Sequence, residues 1–193
     1  MKQEMYDVLL KNNIRPMFTN LKINYDIPED GLVGAEIGVM KGYNSFCILN
    51  NLPIKKLYLI DPYRRYEGID VNYHPANHFP IFKELILDKF TNVKFIKEMS
   101  HDAITYVPDE LDFVYIDGNH NYEYVMSDIL NYFPKVKKGG YLGGHDYDPP
   151  RNKNNVMSAV NEFVGRKKLK LHHRKFKDSW KGGDGITDWW VRK

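Results

Sequence analysis

The stretch Leu111-Asp-Phe-Val-Tyr-Ile-Asp-Gly-Asn-His120 decides how the rest of the chain is read. Phe113, Val114, Tyr115 and Ile116 make a short, almost unbroken apolar run, as a strand buried on both faces requires. Such strands belong to α/β sheets covered by helices, and those sheets bind ligands outside the carboxyl ends of their strands. Asp117 stands at that end, followed by a glycine, an amide and His120. The plainer reading is a strand-to-helix turn in which Asp117 or Asn119 caps a helix starting near Asn121, because Asp and Asn are preferred caps.

Working back from this strand, residues 31–38, 43–51 and 56–61 read as strand, helix and strand, a βαβ unit whose second strand ends on Asp61. A helix over 81–90, a strand over 93–98 and a helix near 102–107 come next. Forward of Asp117 lie a helix over 122–133 and a turn at 137–140. That turn feeds a fifth strand, 141–144, which ends on His145 and Asp146. Residues 154–165 are helical, and strands over 169–176 and 186–192 flank the glycine-rich loop 181–185. The pattern predicts one α/β domain over residues 1–193: a seven-stranded, mostly parallel sheet with helices on both faces and an antiparallel C-terminal hairpin.

Residues 1–30 form an N-terminal helical segment. Its amphipathic part carries Met5, Val8, Leu9 and Ile14 on one side and stops near Pro16. Residues 62–80 show no sustained period and read as a long loop at an acceptor site, with Arg64, Arg65, Tyr66, Tyr73, His74 and His78 as candidate grips.

Composition narrows the function. Twenty-eight Lys and Arg against 25 Asp and Glu leave a net charge of +3, too mild to imply nucleic acid. The basic run 166–175 alternates as a half-buried strand with a solvated face. Cys47, the single cysteine, excludes an intramolecular disulfide, fits a reducing cytoplasm and reads as a buried inert thiol. No apolar run approaches the roughly 20 residues that cross a bilayer, so a cytoplasmic protein without membrane partners is expected. The 14 tyrosines suit a flat or sugar-like ligand, whereas Trp180, Trp189 and Trp190 read as packing.

Glu36 ends the first strand, and Gly38 and Gly42 lie in the turn after it, where glycine lets backbone approach a ligand closely. Asp61, at the end of the neighbouring strand, can accept both hydroxyls of a ribose. A dinucleotide fingerprint is missing, since Val39 and Met40 come directly after Gly38. A cofactor without a pyrophosphate and with a cationic amino-acid tail fits the turn better, with Glu36 as counter-charge.

Glu36-x-Gly38-x-x-x-Gly42, Asp61 and this topology resemble a class I S-adenosylmethionine-dependent methyltransferase of Rossmann-like fold. The later runs, 116–122 with Asp128 and 138–147, resemble the branch often called methyltransferase family 24, which is similar to metal-dependent macrolide-sugar O-methyltransferases. The resemblance implies S-adenosyl-L-methionine held at Glu36, Gly38 and Asp61, with Ser100 and His101 beside the adenine. It implies a divalent ion, Mg or Mn, at Asp117 and Asp146, with His145 where the sugar enzymes carry an acid, and His120 as general base.

The residues support the same chemistry independently. Asp117 and Asp146 end adjacent strands, so both carboxylates can reach one ion, which would depress the pKa of a bound hydroxyl. His120 is placed to take the proton, with an ordinary imidazole pKa of about 6.5. The expected activity is methyl transfer to a hydroxyl of a sugar or glycan. A small phenol is the near alternative, a non-catalytic nucleoside-binding module or an NAD-dependent oxidoreductase the distant ones. The expected partner is a small-molecule or glycan acceptor, with no nucleic acid and a homo-oligomer left open.

Overall fold

The computed structural model describes residues 14–69, 73–148, 155–176 and 186–193. In chain order the elements are α1 (Pro16–Asn24), β1 (Leu32–Ile37), α2 (Tyr43–Asn51), β2 (Ile54–Ile60), α3 (Pro75–Phe82), β3 (Val93–Ile96), α4 (Ser100–Ala103), β4 (Leu111–Ile116), α5 (Tyr122–Tyr132), β5 (Val136–Gly144), α6 (Val156–Lys167), β6 (His172–Phe176) and β7 (Ile186–Arg192). The seven strands form one sheet in the order β3-β2-β1-β4-β5-β7-β6. The first five are parallel, and β7 pairs antiparallel with both β5 and β6.

β4 lies at the middle of this sheet and is buried at every position, as its unbroken apolar run requires. Because side chains alternate along a strand, Phe113 and Tyr115 pack with Met17, Phe18 and Phe46 on one face. Val114 and Ile116 pack with Ile129, Val160 and Trp189 on the other. The strand order reverses between β1 and β4, which opens a crevice at their carboxyl ends. There the Asp117 N–H donates to the Ile37 carbonyl at 2.7 Å.

Gly38 comes after β1 with φ +84°, and a Cβ placed on it would lie 2.1 Å from the Asp117 carbonyl oxygen. Only glycine lets the first turn come this close to the end of β4.

Several boundaries differ from expectation. Pro16 starts a helix instead of stopping one: at the first helical position proline lacks only an N–H that would be unpaired anyway. Within the stretch 62–80 begins α3, again opened by a proline, and α3 runs into a π-helical turn, Lys83–Leu87, where a plain helix over 81–90 was expected. The expected helix at 102–107 is α4 and then a single 3₁₀ turn, Ile104–Tyr106. Residues 137–140 do not turn before β5 but bulge within it, with Gly139 left-handed and a register shift against Leu111 and Phe113. β6 begins at His172, later than the expected 169. Met5, Val8, Leu9, residues 70–72, Trp180 and the loop 181–185 lie outside the described residues.

Candidate functional site

A cavity of about 750 Å³ opens at the carboxyl ends of β1, β2, β4 and β5. Its lining joins the two halves that the sequence separates: Glu36, Gly38, Asp61 and Ser100 on one side, Asp117, His120, His145 and Asp146 on the other.

On the first side, the Asp61 carboxylate shapes the glycine turn. Its Oδ2 accepts the N–H groups of Val39 (3.0 Å) and Met40 (2.9 Å), and its Oδ1 accepts the Tyr63 N–H (2.9 Å) and the Tyr73 hydroxyl. Glu36 is buried and accepts from the Asn44 amide at 3.0 Å and from the Ser45 hydroxyl. Burial pushes its carboxyl up to about 7, the Ser45 and Asn44 donors opposing. Ser100 reaches the cavity and donates to Asp128, a buried carboxylate raised to about 7 by desolvation. Gly42 (φ +77°) does not line the cavity. It sits at the start of α2, where a Cβ would meet Ile86 at 2.8 Å. His101 is also outside the lining, half exposed beside Asp102 at 3.4 Å.

On the second side, ligand atoms of Asp117, His120 and Asp146 all lie within 4.8 Å of one another. His120 Nε2 is 3.1 Å from Asp146 Oδ2 and 3.8 Å from Asp117 Oδ1. His145 faces the same two carboxylates from the interior, its Nδ1 3.0 Å from Asp146 and 3.6 Å from Asp117. The two imidazoles differ in access: His120 is 50% exposed and His145 only 3%. His145 Nε2 is buried without a hydrogen-bond partner among the described residues. Asp146 has φ +58°, a left-handed conformation uncommon for a residue other than glycine. Burial alone would raise the Asp117 carboxyl, but His145, His120 and Arg15 more than offset it and hold it below the ordinary value.

Arg15 escaped the sequence reading. Its Nε donates to Asn44 Oδ1 at 3.1 Å and its Nη1 to Asp188 Oδ1 at 3.3 Å, while its Nη2 is 3.9 Å from Asp117 Oδ2. Asp188, fully buried on β7, also accepts the Tyr115 hydroxyl at 3.0 Å, and desolvation raises it to about 6 against the pull of Arg15. One guanidinium thus compensates acids from two strands. The available signal was a basic residue directly before the helix-opening Pro16.

Of the long-loop candidates, Tyr66 and Tyr73 line the cavity, whereas Arg65 and His74 lie outside it, 3.3 Å apart, and His78 is buried. The loop is clamped to the β4–α5 turn: the Gly68 carbonyl accepts from Asn119 (2.8 Å) and Asn121 (3.3 Å), and the Tyr124 hydroxyl donates to Glu67 (3.0 Å). Asp148 holds the hairpin by accepting from the Thr187 N–H and hydroxyl. Tyr122 is partly buried and donates to Glu162 at 2.6 Å. Cys47 is buried at the cavity wall. No helix among the described residues is long and apolar enough to cross a membrane.

Comparison with known proteins agrees with this geometry. A family profile described as a methyltransferase domain matches residues 35–147. An uncharacterized protein of Acanthamoeba polyphaga mimivirus is 32% identical over 144 residues, which is 70% of this chain. The match spans 61% of the length of that relative. Among solved structures, an O-methyltransferase from Bacillus cereus in complex with SAH superposes with a TM-score of 0.65 at 13% identity, covering 100% of this chain and 92% of its own. An rRNA methylase from Streptococcus thermophilus gives 0.63 at 14% identity, covering 93% and 96%. A precorrin methyltransferase from Geobacter metallireducens gives 0.62 at 16%, covering 100% and 90%. The names of these neighbours span unlike acceptors, so the shared fold does not choose among them.

Proposed function

We propose, from the premise that this chain belongs to the class I S-adenosylmethionine-dependent methyltransferase family, that it transfers the methyl group to a hydroxyl oxygen of a sugar or glycan. The observation that carries this reading is the cavity shared by the glycine turn with Asp61 and the Asp117, His120 and Asp146 cluster.

S-adenosyl-L-methionine fits the first side. Gly38 lines the cavity at the turn, and Glu36 offers a negative charge to an ammonium group. Asp61 holds the turn with both oxygens engaged, so a ribose hydroxyl would take the place of the Tyr73 hydroxyl on Oδ1.

On the second side, Asp146 orients the His120 ring. With the Nε2 proton directed at Asp146 Oδ2, the other ring nitrogen is the basic one, and the carboxylate stabilises the imidazolium that forms. The acceptor hydroxyl loses its proton to His120 as its oxygen forms a bond to the methyl carbon, and the carbon–sulfur bond breaks with its electrons returning to sulfur. Partial exposure lets His120 pass the proton on to solvent. Most of the rate then comes from positioning and fixed charge.

Two carboxylates and an imidazole at one point also suit a divalent cation such as Mn²⁺ or Mg²⁺. Asp117 and Asp146 would hold it, with His145 directed at the same carboxylates from the interior and His120 kept as the base. Such an ion supplies acidification of a bound hydroxyl.

The test is transfer of a labelled methyl from S-adenosyl-L-methionine to a panel of sugars, activated sugars and catechols. Labelled sugar methyl ethers support the reading, and labelling of catechols alone overturns the sugar assignment.

A further inference from the structure

A second hollow, of about 430 Å³, runs between α1 and β6. It borders the main cavity: Arg15 lines the cavity and Pro16 the hollow, Phe176 the cavity and Arg174 the hollow, and the Arg15 guanidinium lies over the Phe176 ring at 5.9 Å. Arg174 and Phe176 share one face of β6, about 7 Å apart along the strand. We propose that the acceptor carries a phosphate group and seats it in this hollow while its reacting hydroxyl reaches His120; the proposal rests on the methyltransferase reading above.

The distribution of charge carries the argument. The lining of the main cavity is acidic in balance, with Glu36, Asp61, Asp117, Asp128 and Asp146 against Arg15 and Lys41. A phosphate is repelled there. The hollow has no acidic residue in its lining, and it offers the Arg174 guanidinium, the His172 imidazole and the Asn20 amide, the His173 ring being turned to the other face of the sheet against Tyr147. Asp188 is the register partner of Arg174 across the hairpin, but its Oδ1 is engaged with Arg15 and Tyr115 and its Oδ2 is buried. Arg174 is exposed, forms no ion pair among the described residues, and its fork of donors matches phosphate oxygens. His172 lies flat on Trp190, with ring centroids 5.6 Å apart and planes inclined by 10°, which fixes the wall behind it. The gradient from basic strand to acidic floor therefore orients the acceptor, phosphate outward and hydroxyl inward. The hollow is of the size for one phosphorylated sugar unit rather than a nucleic-acid duplex.

Calorimetry on the full chain, with inorganic pyrophosphate as the probe, tests this. Wild type is expected to bind, with affinity about tenfold weaker in Arg174→Gln and intermediate in Arg174→Lys. Lys94→Gln, on β3 at the opposite sheet edge, is expected to bind unchanged. S-adenosylhomocysteine binding, measured in parallel, reports both folding of each variant and the cofactor reading. Absence of pyrophosphate binding, or equal loss in Lys94→Gln, with S-adenosylhomocysteine binding intact, overturns the phosphate site alone. Loss of S-adenosylhomocysteine binding in wild type overturns the methyltransferase reading instead. A short single-stranded RNA that binds through Arg174 where pyrophosphate does not also overturns the proposal, in favour of a nucleic-acid acceptor.

Discussion

The His120 imidazole and the Asp146 carboxylate meet at 3.1 Å, one from the turn after β4 and the other from the end of β5. If this pair handles the acceptor proton, His120→Ala is expected to lower kcat by about 10²- to 10⁴-fold. S-adenosylhomocysteine binding should stay within a few-fold of wild type. Single-turnover assays with labelled cofactor would check it, and a kcat near wild type would remove His120 from the proton path.

Asp61 accepts four donors, three of them backbone N–H groups. Asp61→Ala leaves buried donors of the glycine turn without their partner, which costs about 1–3 kcal/mol for each group left unsatisfied. The variant is expected to unfold at lower urea and to lose cofactor affinity together, read by denaturation and calorimetry on the same preparation.

Stability should depend on pH in a direction opposite to that of ordinary paired carboxylates. Burial holds Glu36 at about 7 in the folded chain against an ordinary 4.5, so between those values the folded state binds more protons than the unfolded one. Stability is then lost as pH rises from about 4.5 through about 7, and the raised Asp128 and Asp188 act in the same sense. Lowered Asp117 acts oppositely, but only below its ordinary 3.8. Urea titrations at pH 5 and pH 7.5 should show the decline, and Glu36→Gln should flatten it. A cationic cofactor tail at Glu36 would also release a proton on binding at pH 6, visible as a buffer-dependent heat.

Gly38→Ala introduces a methyl 2.1 Å from the Asp117 carbonyl at a positive φ. The expected result is a loss of several kcal/mol or failure to fold, on the order of other severe backbone substitutions. A thermal midpoint unchanged from wild type would contradict the close packing of the first turn on β4.

Removal of divalent metal by EDTA is expected to depress methyl transfer, with Mn²⁺ or Mg²⁺ restoring it. Full activity after exhaustive chelation would leave the chemistry to the His120–Asp146 pair alone.

The central strand and the three acids at strand ends were legible in the sequence because one short apolar run and its terminal Asp117 fix both burial and direction. Asp61 and Asp146 came from the same logic applied to other strands of the sheet. Pro16 misled because proline is both a helix breaker and a favoured first residue, and only the helical run on its carboxyl side separates the two roles. Arg15 and Asp188 were invisible for a different reason. Their meaning lies in each other, and no local pattern relates residues brought together only by the closing hairpin. Tyr66 and Tyr73 were legible as candidate grips, but the contacts that hold this loop, Gly68 on Asn119 and Asn121 and the Tyr73 hydroxyl on Asp61, are not encoded in periodicity.

The link from Arg15 to Asp188 bridges 173 positions of the chain. Contacts of such separation close late in folding, since ordering a long loop precedes any gain from the contact. While the chain is being synthesised, β1 to β5 can assemble with Asp117 in place before β7 delivers the second acid to Arg15. The floor of the cavity thus acquires its charge balance only when β7 docks, so a nascent chain would gain most of its sheet before Arg15 meets both acids.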